Sequence, residues 1–197
     1  ESKIKKFFDE NNIKAENDFL VGISPSVGNK IKEWNLNNFV KLADYISSHY
    51  RAKIVIIGGR NETGRATEMA ESLNPETQFV NTAGLFNLDE LKALIPRLSL
   101  FISVDTGPIY IAEAFDVPTI DIIGPMDENE QPPRGEKRKI VKLEKRERPA
   151  LHIMNAIEYD YKEARRQIEE ITLDMVIEKL KELAPIVGLK TSDPEIR

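Results

Sequence analysis

The stretch from Leu100 to Phe115, LFISVDTGPIYIAEAF, constrains the fold more than any other part of the chain. Leu100, Phe101, Ile102 and Val104 form a short apolar run rich in β-branched and aromatic residues, the pattern of a strand buried on both faces. Asp105, Thr106 and Gly107 break it. Pro108 suits the first turn of a helix, where its missing N–H is no loss, and Ile109, Ile111, Ala112 and Ala114 continue with helical periodicity. A strand running straight into a helix is the unit of a parallel sheet. The free N–H groups at that helix start, with Gly107 allowing close approach to the backbone, make a pocket suited to phosphate oxygens.

The same alternation runs along the chain. Ser2 to Asn12 carries Ile4, Phe7 and Phe8 at helical spacing, so residues 1–18 read as a lead-in helix and linker. Residues 19–184 read as one domain. Its strands are Phe19 to Ile23, Lys53 to Ile57, a short one at Phe79 and Val80, Leu100 to Val104, Pro118 to Ile123, and an edge strand at Ile140 to Leu143. Helices fall at about Asn37 to Tyr50, Glu62 to Leu73, Leu88 to Leu98, after Pro108, at Tyr161 to Glu170 and at Thr172 to Ala184. Pro185 and Gly188 are expected to end the last one, leaving 185–197 as a frayed tail. Strand and helix alternate with no hairpin signal between strands, which predicts an α/β, Rossmann-like, doubly wound parallel sheet.

The 197 residues suffice for one good-sized domain, or for one half of a two-domain enzyme. Cysteine is absent, which excludes disulfides, thiolate metal sites and cysteine nucleophiles and suits a reducing cytoplasm. No apolar run approaches the roughly 18 residues of a membrane span, and no signal peptide is visible. The chain opens on Glu1, as a fragment or processed product does. A net charge of −5 argues against general nucleic-acid binding. Arg134 to Arg148 nevertheless holds eight Lys/Arg against three Glu, a local +5. That segment reads either as a solvated loop and edge strand, or as a patch in peripheral contact with an anionic membrane or lipid acceptor.

Ligands of an open parallel sheet bind outside the carboxyl ends of its strands, where the strand order reverses. The loops Ser24 to Trp34, Gly58 to Glu62, Asp105 to Pro108 and Gly124-Pro125 all fall at that edge. Small residues there permit tight turns in any protein; four such loops together favour a pocket. Lys32 is a candidate phosphate-binding cation beside the hydroxyls of Ser24 and Ser26. Trp34 reads as a packing anchor. Glu62 suits either ribose hydroxyls or helix capping, and Asp105 either sugar hydroxyls or an N-cap. Tyr110 reads as half packing and half pocket.

In order along the chain come Lys32-Glu33-Trp34, Gly58-Gly59-Arg60-Asn61-Glu62, Ala83-Gly84, Asp105 to Pro108 and Gly124-Pro125. Together they resemble the C-terminal half of glycosyltransferase family 9, the lipopolysaccharide heptosyltransferases and their relatives, over roughly Phe19 to Leu183. The resemblance implies a GT-B architecture, two Rossmann-like domains facing a cleft. It implies that this half binds a nucleotide-diphosphate sugar, ADP-linked by preference, for inverting transfer of a sugar such as heptose to a lipopolysaccharide-type or other glycan acceptor. It assigns Lys32 and the Thr106 and Gly107 amides to the diphosphate, Glu62 to the ribose and Asp105 to the transferred sugar. Ser24 and Ser26 lie where the family's phosphate-loop hydroxyls lie, and Phe86 in the segment bordering the base. No metal or resident cofactor is implied. The general base of the family is an aspartate of an N-terminal acceptor domain, so this chain alone is expected to be inactive. Two departures stand out: Tyr110, which cannot be cationic, occupies the usual histidine position, and the region 148–161 lacks the family's Cys-rich insert.

Other classes fit less well. Asp-Thr-Gly also marks aspartic proteases, but there the aspartate feeds another strand, not a Pro-initiated helix. Gly22-Ile23-Ser24-Pro25-Ser26 misses the Gly-x-Ser-x-Gly elbow, and only His49 and His152 are available as bases. No Asp-x-Asp pair occurs, against a metal-dependent sugar transferase or an aspartate-nucleophile phosphatase. The rival reading is a non-catalytic nucleotide or nucleotide-sugar binding module.

Overall fold

The computed structural model describes residues 2–130, 134–146, 148–151 and 159–191. Short β-branched runs form the strands β1 (Leu20–Ser24), β2 (Lys53–Ile56), β3 (Phe79–Asn81), β4 (Leu100–Val104), β5 (Thr119–Ile122) and β6 (Arg138–Val141). They make one six-stranded sheet of order β3-β2-β1-β4-β5-β6. Every pairing is parallel. The pleat divides each strand between two apolar layers. Val21, Ile23, Ile54, Ile56, Leu100 and Ile102 meet α2 (Leu36–Tyr50), α3 (Thr63–Ser72) and α7 (Leu173–Val187). On the opposite face Leu20, Val55 and Phe101 meet α1 (Ser2–Glu10), α4 (Leu88–Leu94) and α5 (Gly107–Ala114). The remaining helix, α6 (Tyr161–Glu169), seats Ile168 in the first layer.

One glycine is demanded at the centre of this packing. A Cβ on Gly22 would lie 2.6 Å from Leu98 Cδ1 and 2.7 Å from Phe101 Cδ2. Strand order reverses between β1 and β4, which opens the crevice where the sequence places its ligand loops.

The strands agree with the sequence reading to within a residue or so at their ends, except that β6 runs Arg138–Val141 instead of Ile140 to Leu143. Helix ends differ where proline is involved. The helix expected over Leu88 to Leu98 gives way after Leu94 to a 3₁₀ turn, Ile95–Arg97, centred on Pro96. Conversely α7 passes through Pro185 to Val187 and ends on Gly188 in the left-handed conformation, φ 74°. Pro185 lies on the exposed side, and Leu189 beyond it is buried and bonded through its N–H to the Ala184 carbonyl at 2.9 Å. The expected frayed tail is thus corrected as far as Leu189; 192–197 lie outside the described residues. The lead-in helix is integral, with Ile4 and Phe8 buried in the α4/α5 layer.

In the basic segment five of the eight cations are paired among the described residues: Lys137 and Arg138 with Asp116, Lys139 with Glu182, and Lys142 and Arg146 with Glu128. These pairs and the strand Arg138–Val141 agree with the loop-and-edge-strand reading. No helix among the described residues is long and apolar enough to cross a membrane.

Glu128 makes the acid limb of stability testable. Burial alone would raise its pKa, but the Lys142 hydrogen bond and the Arg146 charge overcome this and hold it at about 2, against 4.5 unperturbed. A depressed folded pKa contributes stability above the unfolded value, lost as pH falls through the folded one. The urea midpoint of the wild type should therefore drop between about pH 4.5 and about pH 2. Glu128→Gln should show a shallower drop over the same window, and parallel curves would contradict the assignment.

Candidate functional site

The crevice is built on a loop that the core holds rigid. Trp34 is buried, donates its indole N–H to the Ile171 carbonyl at 2.7 Å, and meets Phe39 edge-on with ring centroids 4.9 Å apart. It is the packing anchor that the sequence suggests. Arg65 of α3 donates to the Pro25 and Trp34 carbonyls at 2.7 Å each, and Arg165 of α6 donates to the Lys30 carbonyl at 3.0 Å. So fixed, the loop's 3₁₀ turn, Lys30–Lys32, carries Lys32 across the crevice to the end of β4. Lys32 Nζ donates to Asp105 Oδ2 and to the Asp105 carbonyl, both at 2.7 Å. An ammonium has three N–H donors, so one remains for a further acceptor.

Asp105 does not take the N-cap role. Thr106 is the N-cap residue of α5, and the second oxygen of Asp105 accepts the Tyr110 hydroxyl. Burial, and then that bond, hold the Tyr110 phenol well above its ordinary pKa of 10, so it stays a neutral donor. Thr106 Oγ1 lies 3.1 Å from Ser103 Oγ. A Cβ on Gly107 would meet no atom within 4 Å among the described residues, so no neighbour crowds the start of α5 on that side. Ser24 is buried at the end of β1, in register with Ser103, and Ser26 is buried with its Oγ unpartnered among the described residues.

A cleft of about 660 Å³ adjoins, bounded by Ser26, Lys30, Arg60, Glu62 and Arg65. The Glu62 carboxylate accepts the Gly59 N–H at 2.6 Å, so the capping role is realised on the wall of the cleft. Lys32, Asp105, Thr106, Gly107 and Tyr110 thus gather at the ends of β1 and β4, with Ser24 beneath and Ser26 and Glu62 in the adjoining cleft. Phe86 stands apart. It packs edge-on against Phe7 of α1, centroids 5.4 Å apart, with the Lys3 ammonium 5.3 Å from its ring centroid. His49 lies in the last turn of α2, stacked on Tyr45, at the opposite edge of the sheet; His152 is outside the described residues.

Sequence reasoning missed Arg65 and Asp121. Nothing in the pattern of α3 distinguishes Arg65 from a surface arginine. Asp121 did carry a signal, a lone acid inside the apolar run Thr119 to Ile123.

A parallel sheet of this order, with helices on both faces and a crevice at its switch point, is a Rossmann-like α/β domain. More narrowly, the chain belongs to glycosyltransferase family 9 (heptosyltransferase), whose profile matches residues 2–159. It is 27% identical over 184 residues to lipooligosaccharide heptosyltransferase 2 of Haemophilus influenzae, an alignment covering 91% of this chain and 51% of that protein. Among solved structures, the glycosyl transferase family 9 protein of Veillonella parvula superposes with a TM-score of 0.73 at 20% identity, covering 94% of this chain and 51% of that one. The Escherichia coli ADP-heptose lps heptosyltransferase II follows at TM-score 0.65 and 19% identity, covering 91% and 53%. The E. coli heptosyltransferase WaaC with ADP superposes at 0.64 and 17%, covering 89% and 47%. The chain spans about half the length of these relatives, and its sheet is that of one half of a GT-B glycosyltransferase.

Tyr110→Phe isolates the bond that completes the Asp105 cluster. It leaves one oxygen of a buried carboxylate without its donor, which should cost about 1 to 3 kcal/mol in urea denaturation. Wild-type stability in this variant would show that the bond contributes nothing.

Proposed function

We propose that this chain is the donor-binding half of a heptosyltransferase, holding a nucleotide-diphosphate heptose for transfer to a lipopolysaccharide-type acceptor. The observation that carries the reading is Lys32, fixed by two hydrogen bonds at the sheet's switch point, beside the uncrowded Gly107 at the start of α5. An ammonium with a donor to spare and a helix N-terminus answer the two needs of a leaving diphosphate, charge and N–H groups. Family membership supports the sugar-transfer class, and a structural neighbour solved with ADP supports an adenine nucleotide. Glu62, on the cleft wall, would take the ribose, and Asp105 the transferred sugar. No metal has a part in this scheme: Lys32 and the backbone amides neutralise the leaving group.

Inverting transfer also needs a base on the acceptor hydroxyl, across the sugar from the departing diphosphate. Every group gathered at the crevice lies on the donor side, and His49 is at the far edge of the sheet. In this reading the base would come from an acceptor-binding domain, as the family resemblance implies. Work at the membrane follows from a lipid-linked acceptor, with the protein in the cytoplasm where nucleotide sugars are made available.

Lys32→Ala should weaken ADP binding roughly ten- to a hundredfold, the worth of one charge-assisted contact. Calorimetric titration checks this, and unchanged affinity would refute the site; the same titration with UDP and GDP reads the base preference. Residues 1–197 alone should bind donor without transferring sugar to lipid or glycan acceptors. Transfer above the rate of donor hydrolysis would overturn the division of labour, and the absence of transfer after an acceptor domain is supplied would favour a non-catalytic binding module.

A further inference from the structure

Beneath the Asp105 turn lies a second acid that the donor contacts do not use. Asp121 sits in β5, in register with Ser103 of β4 on one side and Ile140 of β6 on the other. Its neighbours Ile120 and Ile122 point into the α2/α7 layer, so the pleat turns Asp121 toward α5. There it is 1% exposed, and neither carboxyl oxygen has a hydrogen-bond partner among the described residues. A carboxylate in that position has lost its water and gained no donor, which favours the neutral acid. Two charges bear on it in opposite directions. Asp105 faces it from the turn and favours the neutral acid, while Tyr110 of α5, a neutral phenol, adds no charge. Lys32 is the opposing cation, and it is already bonded to Asp105. Arg138 of β6 directs its guanidinium to the Glu113 carbonyl and to Asp116. Burial first, and then Asp105, push the Asp121 pKa well above the usual carboxylate range against the pull of Lys32.

We propose that Asp121 is a positioning residue kept as the neutral acid beneath the diphosphate turn, so that donor binding at Lys32 and Asp105 weakens as alkaline solution ionises it. In the neutral state the Lys32 ammonium answers one carboxylate, Asp105, and keeps a donor for the ligand. Ionisation adds a second negative charge behind the turn, which repels the diphosphate and competes for the same ammonium. This inference rests on the reading of the turn as the diphosphate site.

The test uses ADP-ribose, whose diphosphate is a diester and lacks the terminal phosphate ionisation near pH 6. Affinity for the wild type should fall on the order of tenfold as the pH is raised from mildly acid into the alkaline range where Asp121 ionises. Asp121→Asn, which mimics the neutral acid, should bind with an affinity that does not change over that range. A purely structural role for Asp121 would shift affinity at every pH alike. Identical pH profiles for the two proteins would overturn the inference and leave the diphosphate site standing; no ADP-ribose binding at any pH would overturn the site and this role with it. Carbon-13 NMR of the Asp121 carboxyl in the wild type needs neither ligand nor variant: an ionised carboxylate at pH 6 overturns the proposal, and a protonated one supports it.

Discussion

The Lys32–Asp105 pair joins the two halves of the sheet at the point where its strand order reverses. Both side chains are largely buried, at 16% and 7% exposure. At such burial the desolvation of two charges offsets most of their attraction, so the pair adds little net stability while fixing geometry. That geometry is what the crevice depends on. The loop after β1 must arrive at the right height, and Trp34, Arg65 and Arg165 hold it there through main-chain carbonyls. Asp105 must face across the crevice, and Tyr110 keeps its other oxygen occupied.

The parallel sheet explains why these parts meet. Each strand ends at the same edge, and each following helix begins there, so loops far apart in sequence share one rim. The same polarity carries the last turn of α2, with His49, to the opposite edge. Bonds from β6 and the segment after it tie this outer strand to the Glu113 carbonyl of α5, to Asp116 beyond it, to α7 and to the loop following β5.

Much of this was legible in the sequence because it depends on local chemistry. The strand, polar break and Pro-initiated helix of 100–115 are a nearest-neighbour pattern, and the alternation of such units leaves few topologies open. Roles that depend on what a side chain meets were less legible. Glu62 and Asp105 both sit beside helix starts, yet Glu62 caps and Asp105 does not, because only Asp105 has a cation delivered to it from 73 residues away. Phe86 lies in a loop at the ligand edge, but α1 supplies an aromatic partner that turns it elsewhere.

By itself the sequence determined the parallel α/β sheet, the edge where its loops gather and the family to which the chain belongs, since periodicity, turn residues and motif order are carried by neighbouring residues. Tertiary structure alone decided that Lys32 is bound to Asp105, that Arg65 braces the loop and that Asp121 lies buried without a donor among the described residues. Each of these turns on burial and on distances between segments remote in the chain, and a carboxyl group's charge is set by the water and the partners it keeps after folding, not by its place in the sequence.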